Sequence, residues 1–302
     1  MPSNIQRVKR FFGIWRRSGR LGLAINAVRW RCQAVVMDFL LAGGRVSGDE
    51  VQYKSANLPR SLFAGPDLGG LVYVTQLVDY GATIGQGEVD VYLATLPSGL
   101  TFQASSNGFV DTMCMLVERF VSEEYSWLDA DGSVVIDIGA NVGDSAIYFA
   151  SRGAVVVYGY EPDTTALQVA RRNLALNRIG NVNLTQAAVT GKCAAGRDDC
   201  ISFGEVLDRA RNENDGIPIV CKIDCEGCEF EIFSQGTMQP DAMKFVSQIM
   251  IEYHWKSPDP IARVLRQLGF EAATTPGSRG VGWIRARKQV NANPVLQADG
   301  PD

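Results

Sequence analysis

From Ser133 to Lys288 the chain alternates two kinds of apolar pattern. Runs that are nearly continuous in apolar, β-branched residues ("SVVIDIG", "AVVVYGYE", "NVNLTQAAV", "IPIVCKID", "SQIMIEYHW") are separated by stretches with apolar positions three and four apart ("DSAIYFASRG", "TTALQVARRNLALNR", "SFGEVLDRAR", "PIARVLRQLGF"). Continuous runs of this kind predict strands buried on both faces, and the intervening periodicity predicts the helices that bury them. The closing runs "FEAATT" and "VGWIRAR", on either side of a Pro/Gly turn, predict an antiparallel edge. The expected fold is α/β, a doubly wound and mostly parallel sheet.

Upstream the pattern is less regular. "LVYVTQLVDY", "EVDVYLATL" and "LTFQA" read as short β-like runs, and residues 46–66 as polar and irregular. In residues 111–128 Met113, Leu116, Val117, Phe120 and Val121 fall on one side of a helix. Residues 1–45 read as helical and basic, with Arg7, Lys9, Arg10, Arg16, Arg17, Arg20, Arg29 and Arg31 all preceding the first acid, Asp38. The resulting division is a basic helical segment 1–45, a β-rich extension with a lead-in helix 46–125, a core 126–289 and a disordered tail 290–302.

The chain of 302 residues is 46% hydrophobic with a net charge of −4. That balance sets nucleic acid aside as a partner. No apolar run reaches spanning length, and seven cysteines without regular spacing fit a reduced, cytoplasmic setting. The basic segment 1–31 can still lie on the inner face of an anionic membrane, as a peripheral contact. Oligomeric state is not legible.

The loop after the first core strand is Asp137-Ile138-Gly139-Ala140-Asn141-Val142-Gly143-Asp144. A dinucleotide site would place a second glycine where Ala140-Asn141 stand, and would leave the helix start free of acid. Asp144 at that start would repel a phosphate. A ligand without phosphates and with a cationic centre fits better, and S-adenosylmethionine (SAM) is one. Glu161, ending the second strand before Pro162, suits two ribose hydroxyls, the role of the ribose acid in dinucleotide folds. Ala187 and Ala188, ending the third strand, leave room for adenine.

Together, "VVIDIGANVGDSAIYFA", "YGYEPDTTALQVARRNLALN", "CKIDCEGCEFEIF" and "IMIEYHW" resemble the FkbM-type SAM-dependent methyltransferases over roughly residues 100–287. The resemblance implies a Rossmann-like methyltransferase sheet of seven strands, with methyl transfer largely to hydroxyl oxygens of small molecules or of sugars on glycolipids. The first hundred residues, the basic helical segment and most of the small β-rich extension, carry no resemblance.

A hydroxyl acceptor needs its proton removed. The ends of the fourth and fifth strands carry Lys222, Asp224, Glu226, Glu229, Glu252 and His254. His254 is the favoured base because its ordinary pKa near 6.5 suits neutral pH. Asp224 is the second choice or the group that orients the base, with Glu252 sharing the face of His254. Glu226 and Glu229 would hold substrate hydroxyls or steady the turn at Gly227; Lys222 would bind substrate or make an ion pair within the motif. The alternative for His254 is a structural histidine in a strand. Cys221, Cys225 and Cys228 space like an iron–sulfur triad. Cys221 lies within a buried strand and acids stand between, so the cysteines read as small hydrophobes and no metal is expected. Two further functions compete: a non-catalytic SAM-binding protein of this fold, and a dinucleotide-dependent oxidoreductase.

Overall fold

The computed structural model describes residues 34–63, 70–193, 199–234, 240–277 and 280–288. The basic segment 1–31 and the tail 290–302 lie outside the described residues. The chain forms two compact units: one holds the described residues up to Glu124 together with Val169–Arg178, the other holds Tyr125–Gln168 and the described residues from Ile179 onward.

The first unit opens with helix α1 (Ala34–Leu41) and three short strands, β1 (Arg45–Ser47), β2 (Glu50–Tyr53) and β3 (Ala56–Pro59), paired antiparallel. This corrects the expectation of irregular chain over 46–66. Val46, Val51, Tyr53, Ala56 and Leu58 alternate inward, and two-residue turns at Gly48-Asp49 and Lys54-Ser55 reverse the chain. Their first residues take positive φ, 59° and 48°, the backbone that suits the strand twist. "LVYVTQLVDY" is also corrected, to helix α2 (Leu71–Tyr80). Its buried residues Leu71, Val74, Leu77 and Val78 keep helical spacing, and Gly81 caps it at φ 104°. Strands β4 (Thr83–Gln86), β5 (Val91–Thr95) and β6 (Thr101–Ser105) form an antiparallel sheet, followed by helix α3 (Phe109–Leu116).

The second unit contains β7 (Val134–Ile138), α4 (Asp144–Ser151), β8 (Val156–Tyr160), α5 (Thr164–Leu176), β9 (Val182–Thr185), β10 (Ala188–Thr190), β11 (Cys200–Ser202), α6 (Phe203–Glu213), β12 (Ile219–Ile223), α7 (Glu229–Ile232), β13 (Val246–His254), α8 (Asp259–Gln267), β14 (Phe270–Pro276) and β15 (Val281–Lys288), with the later half of α5 grouped in the first unit. Its seven-stranded sheet runs β14-β15-β13-β12-β7-β8-β9. From β13 to β9 the strands are parallel, and β15 is antiparallel to both neighbours. The reversed strand therefore sits one place in from the edge. All five residues of β7 and of β12 are buried, which explains why these runs carry no polar alternation. "NVNLTQAAV" is two strands rather than one. β9 stops at Thr185, and Ala188 turns away to pair with Cys200 in a separate parallel pair with β11.

The amides of Asn173 and Asn177 bond to β6: Thr101 N–H donates to Asn177 Oδ1 at 2.7 Å, Asn177 Nδ2 donates to Thr101 O at 2.7 Å, and Gln103 N–H donates to Asn173 Oδ1 at 2.8 Å. Asn177 Nδ2 also donates to Asn173 O at 2.8 Å, closing the end of α5. Asn177→Ala leaves both Thr101 groups unmatched and is expected to lower stability by about 1–3 kcal/mol in urea unfolding. A loss under about 0.5 kcal/mol would show that the amide does no more than an ordinary surface group.

Candidate active site

Five parallel strands end on the same side of the sheet, so the residues after β7, β8, β9, β12 and β13 share one edge. In folds of this kind ligands bind at that edge. The loop after β7 is shaped by positive φ at Gly139 (78°), Asn141 (44°) and Gly143 (82°). Gly139 is required by space as well as by backbone: a Cβ there would fall on the Asp224 carbonyl oxygen. Asp224 N–H donates to Ile138 O at 3.0 Å, so the ends of β7 and β12 remain joined beyond the strands.

A buried ion pair anchors this loop. Lys222 Nζ lies 3.0 Å from Asp137 Oδ1 and donates to Gly139 O at 2.6 Å, while Ser145 Oγ donates to Asp137 Oδ2 at 2.6 Å. Lys222 is 1% exposed and Asp137 fully buried. Burial pushes the Asp137 carboxyl up, against the pull of Lys222 and Ser145. Lys222 thus makes the ion pair within the motif, and Asp137 lies fully buried behind the loop it holds. Ser145 was missed, its one signal being a hydroxyl in the first turn of the helix that follows the loop.

Glu161 ends β8. Its Oε2 accepts from Asn141 N–H at 2.9 Å and its Oε1 from Asp163 N–H at 2.8 Å. A carboxylate has about four acceptor positions, so Glu161 ties the glycine loop to the end of β8 and keeps lone pairs for a ligand's hydroxyls. Gly139 and Ala140 N–H both donate to Tyr160 O, at 2.9 and 3.0 Å. Asp144 is buried in the first turn of α4, where the helix dipole favours a carboxylate. Asp163 Oδ1 accepts from Ala166 N–H and caps α5, and Pro162 is exposed. Ala187 is buried in the link after β9; Ala188 donates its N–H to Asp199 O and opens β10 rather than ending β9.

At the ends of β12 and β13 the structure brings together Asp224, Glu229, Glu252 and His254. Glu229 Oε1 accepts from His254 N–H at 2.9 Å and faces the ring Nδ1 at 3.3 Å; Oε2 accepts from Gly227 N–H at 2.7 Å. His254 Nε2 faces Asp224 Oδ1 at 4.0 Å. One oxygen each of Asp224 and Glu252 and one His254 ring nitrogen lie within 4.8 Å of one another. The hydrogen bond to Glu229 holds the His254 pKa above its ordinary value; burial opposes this, and Asp224 and Glu252 reinforce it. Burial alone would push the Glu229 carboxyl up, but the bonds from His254 and from the Gly227 turn outweigh it and keep it below the usual carboxylate range.

Glu229 is fully buried. Of its two expected roles it takes the second, steadying the turn at Gly227, and it supports the imidazole as well. Glu226 stands at φ 51° in that turn, so the alternation that would align it with Asp224 ends at Ile223. The cysteines are corrected too. Cys225 is joined to Cys228 and Cys193 to Cys200, whereas Cys221 is free and buried. A half-buried pair in a tight turn meets by chain reversal, which spacing alone does not reveal. Trp255, unmarked in the sequence, stands at φ 58° beside the His254 ring and is 67% exposed.

No family model matches the chain. One curated relative, a ribosomal protein L11 methyltransferase of Caldanaerobacter subterraneus subsp. tengcongensis, is 34% identical over 77 residues, 26% of this chain and 25% of that protein. The chain thus spans about a quarter of the length of the curated relative it matches. Among solved structures, an rRNA methylase of Streptococcus thermophilus gives a TM-score of 0.39 at 14% identity, covering 56% of this chain and 94% of that one. A ribosomal protein L11 methylase of Lactobacillus delbrueckii subsp. bulgaricus gives 0.36 at 17%, covering 59% and 78%. Magnesium protoporphyrin IX methyltransferase of Synechocystis PCC 6803 gives 0.36 at 14%, covering 61% and 83%. None of these TM-scores reaches 0.5.

These names overturn one expectation. A net charge of −4 set nucleic acid aside, yet proteins similar to this chain are named for rRNA and for a ribosomal protein. Net charge averages over the whole surface and does not describe the local field at one face. No described helix is long and apolar enough to cross a membrane. What stands is the fold, a Rossmann-like, mostly parallel seven-stranded sheet.

Proposed function

We propose that the chain is a SAM-dependent methyltransferase that delivers the methyl group to a hydroxyl oxygen, with His254 removing the proton. The observation that carries this reading is the His254–Glu229 pair at the carboxyl edge of the sheet. A buried carboxylate fixes one ring nitrogen and leaves Nε2 turned toward Asp224, the arrangement of a base held in one tautomer. The resemblance to the FkbM-type family supports the same reading.

The residues at the edge suit the donor. Glu161 offers acceptors for two ribose hydroxyls, the Gly139–Gly143 turn allows close backbone approach, and Asp144 at the helix start favours a cationic ligand over a phosphate. Bound SAM would supply an electrophilic methyl on a sulfonium. The protein's part is to orient the acceptor, to exclude water, and to hold the departing proton on His254 Nε2.

Calorimetry with SAM, its demethylated product and NAD tests the donor. SAM and its product should bind and NAD should not; NAD binding without SAM binding would point to a dinucleotide-dependent oxidoreductase. Glu161→Ala is expected to weaken SAM about tenfold or more, through loss of hydrogen bonds worth about 1–3 kcal/mol. Labelled SAM offered with hydroxylated metabolites, glycans, lipid extracts, ribosomal protein and RNA tests the acceptor. A methylated amine as the only product would remove the hydroxyl, and SAM binding without any transfer would favour a non-catalytic binder.

A further inference from the structure

The turn "DCEGCE" holds a feature that methyl transfer leaves unused. Cys225 and Cys228 are bridged, with Cα atoms 5.6 Å apart, within the usual span of a disulfide. Glu226 at φ 51° and Gly227 at φ 122° reverse the chain between them. Both sulfurs belong to half-buried residues, so an external thiol can approach. Residues of the site flank the bridge directly: Asp224 precedes Cys225, and Glu229 follows Cys228. Cys225 Sγ lies 3.7 Å from Glu229 Oε2, while Glu229 Oε1 holds His254.

We propose that Cys225 and Cys228 form a thiol–disulfide exchange site whose oxidation state is relayed through Glu229 to His254. The reaction partner is an external dithiol or disulfide. One thiolate of a dithiol attacks a sulfur of the bridge, breaking the Cys225–Cys228 bond and forming a mixed disulfide. Its second thiol then displaces the protein sulfur. The dithiol leaves as a disulfide, oxidised by two electrons, and the two cysteines gain the electrons and two protons.

The relay follows from the hydrogen on Cys225. As a thiol, Cys225 can donate an S–H to Glu229 Oε2 and draw charge from that carboxylate. As half of a disulfide it has no hydrogen to give, and the full carboxylate charge faces the imidazole. The other charged groups around His254 are common to both forms: Asp224 from the end of β12, with Lys222 3.9 Å behind it, and Glu252 on β13. The bridged form therefore favours the imidazolium and the dithiol form the neutral base. The effect on turnover rests on the proposed function; the exchange and the imidazole response do not.

The chain contains a single histidine, so an isotope-labelled imidazole gives one assignable NMR signal. The full-length protein is equilibrated at fixed pH across ratios of reduced to oxidised dithiothreitol, and the cysteines are trapped by differential alkylation and mapped by mass spectrometry. Cys225 and Cys228 are expected to interconvert as one two-electron couple, with the His254 signal moving toward the neutral imidazole as they are reduced. The Cys193→Ser/Cys200→Ser protein, lacking the other bridge, should keep this response, and the Cys225→Ser/Cys228→Ser protein should lose it. A pair that stays in one state throughout, a His254 signal that ignores it, or a response that follows Cys193 and Cys200 would overturn the proposal. The wild-type readings decide even if the double serine variant fails to fold. Absence of SAM binding would refute the proposed function and leave both readings intact.

Discussion

His254→Ala is expected to lower turnover by about a hundred- to ten-thousand-fold, the usual worth of a positioned base, while SAM binding stays near wild type. The substitution removes the ring but keeps the backbone N–H that Glu229 accepts, so the turn after β12 retains its anchor. Calorimetry and a labelled-transfer assay on the same sample separate the two effects. Unchanged turnover would make His254 structural and pass the role of base to Asp224. The pH profile gives a second reading. Glu229 raises the His254 pKa above its ordinary value, and a base works in its neutral form. Turnover should therefore rise with pH through a midpoint above about 6.5. Glu229→Gln should move that limb to lower pH. The same shift acts oppositely on stability. A raised folded-state pKa contributes stability that is fully present below the unfolded pKa and is lost as pH rises through the folded one. The protein should thus be most active where the His254 ion pair no longer stabilises it.

Lys222→Met is expected to cost about 3–5 kcal/mol, because it leaves Asp137 buried without its partner. The ammonium also donates to the Gly139 carbonyl, so the same change should loosen the glycine loop and weaken SAM. Urea unfolding of Lys222→Met, Asp137→Asn and the double variant forms a cycle. The double variant should lose less than the sum of the singles, since removing both charges leaves neither stranded. A cost below about 1 kcal/mol for Lys222→Met would mean that the pair is not what holds the loop.

The sheet was legible because its strands are buried on both faces. In β7 and β12 burial on both faces puts apolar residues at four of every five positions. The same cue misled at Leu71–Tyr80, where valines and leucines look β-like but the buried positions keep helical spacing. It also failed for β1 to β3, whose strands of three or four residues are too short to show alternation among polar neighbours. In the site, the members were legible and their orientation was not. Lys222, Asp224, Glu226 and Glu229 are all polar letters in one short stretch. Whether each faces inward depends on where β12 ends and how Glu226 and Gly227 turn the chain. That turn buries Glu229 beneath the histidine and leaves Glu226 outside the strand's alternation. The joining of Cys225 to Cys228 depends on the same turn.

The amides of Asn173 and Asn177 matter beyond stability. β6 lies at the edge of its sheet, and an open edge offers unpaired N–H and C=O groups on which another chain can build a strand. Here two side-chain amides stand in for the missing neighbour along Thr101 and Gln103. They are too short to extend the sheet and present no backbone for a further strand to join. Along Thr101 and Gln103 this edge is thereby occupied by two residues contributed from a distant part of the chain.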